Sequence, residues 1–136
     1  MKKIIVLLLI LSITGCVSNG KLTNTCKKVE TASDLTNTTT YTINFESDEI
    51  SNVIVTNDYT ANSTTITSIK LSVVSQNNFW QDKINFNVLN DSNTNYKVEY
   101  IIDVNNTDED IYNYFNLKKE RSKLVSYLKD NGFTCE

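Results

Sequence analysis

Histidine and proline are absent from the 136 residues, and glycine occurs only as Gly15, Gly20 and Gly132. Without histidine, neither a Ser-His or Cys-His nucleophile nor an imidazole metal site can be assembled. The scattered glycines leave nothing from which to build a phosphate-cradling loop. Long apolar runs are also missing, apart from residues 4–11. That run falls well short of the roughly 20 residues a helix needs to cross a hydrocarbon core. Basic residues number 13 against 16 acids, a formal net charge of −3. A balance of that kind offers no basic footprint for nucleic acid or for anionic lipid.

What is present starts with MKKIIVLLLILSITGC. Lys2 and Lys3, the apolar run and the short exit at Gly15-Cys16 are the three parts of an export signal. Ile13-Thr14-Gly15-Cys16 resembles the bacterial lipobox, whose cysteine is acylated and becomes the first residue of the mature protein. The resemblance implies a signal peptide at residues 1–15 and an acylated Cys16, palmitate being the expected kind of chain. It further implies residence on the extracytoplasmic face of the cell membrane, held through the N-terminal lipid. Residues 16–24, the lipidated cysteine and the polar stretch VSNGKLTN, read as a flexible tether. An ordinary secretory signal with a cysteine at its cleavage site is the other reading. Cleavage removes two lysines, leaving the mature chain near −5.

Cys26 opens the folded part, residues 25–136, and Cys135 nearly closes it. A structural disulfide between them would tie almost the whole domain into one loop, and export permits such a bond to persist. Two free thiols are the alternative. Redox pairs are usually close in sequence near a helix start, and these two are far apart.

Alternation of apolar and polar residues marks the strands. Residues 25–30 read as an edge strand, residues 39–46 as a half-buried strand on Tyr41, Ile43 and Phe45, and residues 50–58 as its hairpin partner. Ser47-Asp48-Glu49 lacks an Asn-Gly or Asp-Gly signal, which predicts a loop longer than two residues. Residues 63–77 have helical spacing despite many β-branched side chains, and residues 79–88 either continue that helix or run extended. A strand over residues 96–104 and an amphipathic helix starting at Thr107-Asp108-Glu109-Asp110 follow. Gly132 ends that helix, and Phe133-Thr134-Cys135 returns as a short strand. The expected fold is one α+β domain, with an antiparallel sheet of about four to five strands packed with one or two helices.

The order of cysteine-bearing first strand, TYTINF strand, YKVEYIIDV strand, amphipathic helix and DNGFTC ending resembles the YehR-like lipoproteins of bacteria. That family has no settled activity, so the resemblance implies a fold and a location and carries over no site.

Candidate chemistry is sparse. Asp108, Glu109 and Asp110 lack the spread of ligands and the bend glycine of a calcium loop, and as acids they suit a helix start. No metal, cofactor or catalytic residue is assigned. Aromatic side chains supply the candidate contact surface, and Trp80 and Tyr112 are the residues expected to be exposed on it. The expected function is a non-enzymatic binding or interaction module for an envelope protein or a small apolar ligand. An envelope hydrolase without histidine and a structural surface protein are the alternatives.

Overall fold

β-Branched and aromatic side chains fit a pleated, half-buried surface, and they fill the chain's first half. The computed structural model describes residues 22–136. Cys16, the export signal and most of the tether lie outside the described residues. β1 (Leu22–Ala32), β2 (Leu35–Glu46) and β3 (Glu49–Thr60) form two successive hairpins. After them come α1 (Ser63–Trp80), a 3-10 turn over Gln81–Lys83, β4 (Asn85–Asp91) and β5 (Asn95–Asp103). α2 (Glu109–Tyr114), α3 (Arg121–Asp130) and β6 (Thr134–Cys135) complete the order. The chain is thus a single α+β domain, a six-stranded antiparallel sheet in the order β4-β5-β3-β2-β1-β6 with three helices.

One face of the sheet makes the core. Tyr41, Ile43 and Phe45 of β2 lie beside Val53 and Val55 of β3 and Tyr96, Val98, Tyr100 and Ile102 of β5, all buried. Against them pack Ile66, Val73 and Trp80 of α1, Ile111 of α2, and Leu124 and Leu128 of α3. Each large aliphatic side chain buried in this way stabilises the fold by about 1.5–3 kcal/mol.

Both hairpins turn on the pair Ser-Asp. Ala32 pairs with Leu35 across Ser33-Asp34, and Glu46 pairs with Glu49 across Ser47-Asp48. The second turn is therefore tighter than the loop the sequence predicts. β1 also starts earlier than expected: Leu22–Asn24, read as tether, already pair with β2. The strand is bordered by β6 only at Cys26 and Lys27, so it is an edge strand beyond that point.

The segment left open in sequence resolves into three pieces. Asn62 caps α1, its Oδ1 accepting from the Thr65 N–H at 2.9 Å. The helix runs to Trp80, and the chain then turns into β4, a strand the sequence reading lacks. The amphipathic helix after residue 107 is two helices. Asn116 takes φ 50°, its N–H donates to Asn113 O at 3.1 Å, and Leu117 N–H donates to Tyr112 O at 2.9 Å. That bond pair is a left-handed helix stop with Asn where glycine is usual, sealed by the fully buried Leu117. α3 ends in the same way at Gly132, φ 86°, with Gly132 N–H on Lys129 O and Phe133 N–H on Leu128 O.

The chain's two ends meet at the β1 edge. Thr25 and Glu136 exchange both backbone hydrogen bonds, at 3.0 and 2.9 Å. The next pair, Cys26 and Cys135, therefore occupies the non-hydrogen-bonded position, where facing side chains come closest. Their Cα atoms are 4.0 Å apart and their sulfurs are at disulfide distance, 2.04 Å.

Candidate functional site

Polar residues on the inward register of a sheet imply that something other than packed hydrocarbon covers them. In β3 the inward series Val53, Val55 continues as Asn57 and Tyr59. Their neighbours in β2 are Thr39 and Asn37, again polar. Asn37 Nδ2 donates to Thr39 Oγ1 at 3.3 Å, and Thr39 Oγ1 donates to Asn57 Oδ1 at 2.9 Å. This short relay is the floor beside a cleft of about 190 Å³.

The cleft lies between α1 and α2. Ile69, Ser72, Val73 and Gln76 line it from α1, Asn57 and Tyr59 from β3, Tyr100 from β5 and Tyr114 from α2. Six of these eight carry a hydroxyl or an amide, and none carries a charge. Among the described residues only Asn57 Oδ1 of those side-chain groups is engaged by another protein group. Burial pushes the Tyr59 phenol up to about 12, with Tyr114 and Tyr96 adding smaller repulsions. Tyr100 is raised further for the same first reason, followed by Tyr59, Tyr114 and Tyr96. Both phenols are therefore neutral hydrogen-bond donors through the whole neutral range.

Larger depressions exist but have a different character. One of about 350 Å³ follows the β1 and β6 edge, lined by Lys27, Lys28, Val29 and Gly132. Another, about 560 Å³, wraps the Ser47-Asp48 turn. Both are surface troughs lined in part by charged side chains, whereas the cleft gathers uncharged polar groups from two helices and two strands.

The aromatic surface expected from sequence is corrected by the structure. Trp80 is 2% exposed, not a surface contact. It closes α1 by packing edge-on against Tyr100 and Tyr114, with ring centroids at 6.0 and 4.8 Å, and tilted against Phe115 at 5.6 Å. Tyr112 is half-buried against the core and lines a separate shallow depression with Val104, Thr107 and Lys119. Tyr114, by contrast, falls on the apolar spacing of the helix with Ile111 and Phe115, yet is 58% exposed. It is the last residue of α2, and its ring lies edge-on to Trp80 at 4.8 Å and Phe115 at 4.9 Å while the rest of it faces solvent. The signal for the cleft was available in the register, since Asn57 is a polar residue in an inward run.

Two of the acids make contacts that bear on the fold. Asp48 accepts from Ser122 N–H at 2.9 Å and from Ser122 Oγ at 2.6 Å, and Arg121 Nε lies 3.4 Å away. Those hydrogen bonds, above all from Ser122, hold its carboxyl below the usual carboxylate range. Asp108 pairs with Lys83 at 2.7 Å. Among the described residues no three metal-ligating side chains converge, and no helix is long and apolar enough to cross a membrane.

No family model matches the chain, and no curated protein matches it. A solution structure of a protein from Streptococcus pneumoniae TIGR4 is similar in fold, with a TM-score of 0.57 and 15% identity. The match covers all of this chain and 97% of that one. At that identity the likeness concerns the fold alone.

Proposed function

We propose that this chain is an exported, lipid-anchored binding protein of the YehR-like kind, held to the membrane through Cys16 and taking a small ligand in the tyrosine-lined cleft. One observation carries the binding part: six neutral polar side chains from four elements converge on a concave space, and almost none of their hydrogen-bonding capacity is used within the protein. Groups arranged so and left unengaged are what a binding site presents before its ligand arrives. No carboxylate, thiol or ammonium lines the space, so it fits binding better than hydrolysis.

Chemical-shift mapping with a library of small fragments tests the cleft. Resonances of Tyr59, Gln76 and Tyr114 should respond together, and a Ser72→Phe variant, which fills the space from α1, should silence them. Responses scattered over the surface, or unaffected by Ser72→Phe, would remove the cleft as the site. The anchor has its own test in the intact mass of protein extracted from membranes. A chain starting at Cys16 with added acyl mass supports it, and an unprocessed or unacylated chain sinks it.

A further inference from the structure

We infer that the ligand of this cleft is an uncharged saccharide, gripped one ring at a time; the inference rests on the binding reading above. Size comes first. A space of about 190 Å³ is below the roughly 300–1,000 Å³ that encloses a drug-sized ligand, so it takes a single ring-sized group.

Charge narrows the class. No lysine, arginine, aspartate or glutamate lines the cleft. Three charged residues adjoin the lining in sequence: Asp58 and Glu99 take the opposite register to Asn57 and Tyr100, with Asp58 pairing with Lys97 at 3.7 Å, while Lys70 pairs with Asp91 and donates to the Ser92 carbonyl at 2.9 Å. An anionic or cationic group entering the cleft would lose its water and find no counter-charge. Polarity narrows it again. A plain hydrocarbon or aromatic ring would strip water from the Ser72 and Gln76 side chains and the Tyr59 and Tyr100 phenols and return no hydrogen bond to any of them.

A pyranose satisfies all three conditions. Its hydroxyls both donate and accept, matching amides and phenols that do the same. Its C–H face lies well against an aromatic ring, and Tyr114 offers one at the cleft mouth, 58% exposed.

The test titrates the labelled full chain with four probes: glucose, N-acetylglucosamine, glucuronate and indole. The Asn57 and Gln76 side-chain amides and the Tyr59 and Tyr114 rings report. At least one neutral sugar should shift them saturably, with glucuronate about tenfold weaker or worse, and Gln76→Ala should weaken the neutral sugar by about tenfold. Gln76 sits half-buried on α1 outside the core, and Ser72→Ala provides a second variant on the same helix. Saturation by indole and by neither neutral sugar would overturn the saccharide assignment and leave the cleft a binding site. Glucuronate binding as tightly as glucose, or a neutral sugar indifferent to both variants, would overturn it as well. Silence of the cleft toward all four probes would overturn both the saccharide and the binding reading.

Discussion

Helices α1 and α3 cover the same sheet face but are started by opposite means. α1 carries its own cap: Asn62, the residue just before it, receives the Thr65 N–H. Asp34 of the first Ser-Asp turn only supports that cap, bonding Asn62 Nδ2 and accepting from Thr65 Oγ1 at 3.1 Å. α3 has no local cap, because the Glu120 side chain makes no capping bond. Its first turn is held by Asp48 from the second Ser-Asp turn, 74 residues earlier in the chain. The Asp48 carbonyl adds a bond from Arg121 N–H at 2.7 Å. The same dipeptide turn thus serves one helix indirectly and the other as its only start. One helix can begin before the sheet is complete, while the other needs the β2–β3 hairpin in place.

Four experiments press on that difference, beginning with the one of largest effect. Replacing Cys26 and Cys135 by alanine opens a loop spanning 109 residues. The chain-entropy account predicts a loss of about 4–5 kcal/mol in urea unfolding. Hydrogen exchange should show the loss first in β6 and α3 while α1 keeps its protection; uniform loosening would erase the distinction between the two sides. Core truncation comes next. Leu124→Ala on α3 removes a fully buried side chain and should cost about 2–5 kcal/mol. Val73→Ala on α1, at the rim of the cleft and 9% exposed, should cost about 1–2 kcal/mol.

The caps themselves give smaller effects. Asn62→Ala should cost about 1 kcal/mol. Asp48→Ala should expose the first-turn amides of α3 to exchange, and adding Glu120→Asn, which supplies a local cap at a residue already extended at φ −98° and ψ 128°, should restore them. Failure of that rescue would mean Asp48 acts on the turn and not on the helix. Acid titration gives the gentlest probe. Because the Asp48 carboxyl is held below its unfolded value of 3.8, its contribution is present above that pH and fades as pH falls through the lower folded value. Amides at the start of α3 should lose protection there, whereas the Thr65 amide, received by an uncharged amide oxygen, should not.

The same contrast explains what was legible in the sequence. α1 announced itself through the helical spacing of residues 63–77, and the α3 end through Gly132, because both signals lie in or beside the residues they act on. Period-two alternation at Tyr41, Ile43 and Phe45 and at Tyr96, Val98 and Tyr100 exposed the central strands for the same local reason. The split at Asn116 went unread since asparagine there does what glycine normally does, and the restart of α3 depends on a distant aspartate. β4 escaped because its alternation is weak: a bulge between Val88 and Asn90 breaks the register, and Val88 and Leu89 are about half exposed. Trp80 is buried because α1 runs through it and keeps it on the same face as Ile66 and Val73, a continuation the sequence left open. The cleft residues were each visible, but their convergence depends on α1 and α2 lying over β3, which is a tertiary fact.

The pairing of Cys26 with Cys135 also sets a schedule. Cys26 is made 109 residues before its partner, a wait on the order of 5–20 s at typical elongation rates. During that interval the first three strands can pair, yet the thiol that will fasten β1 stays unclaimed and its outer edge stays open. Closure therefore comes last in the history of each molecule, and any chain that stops short of Cys135 is born with an unguarded strand.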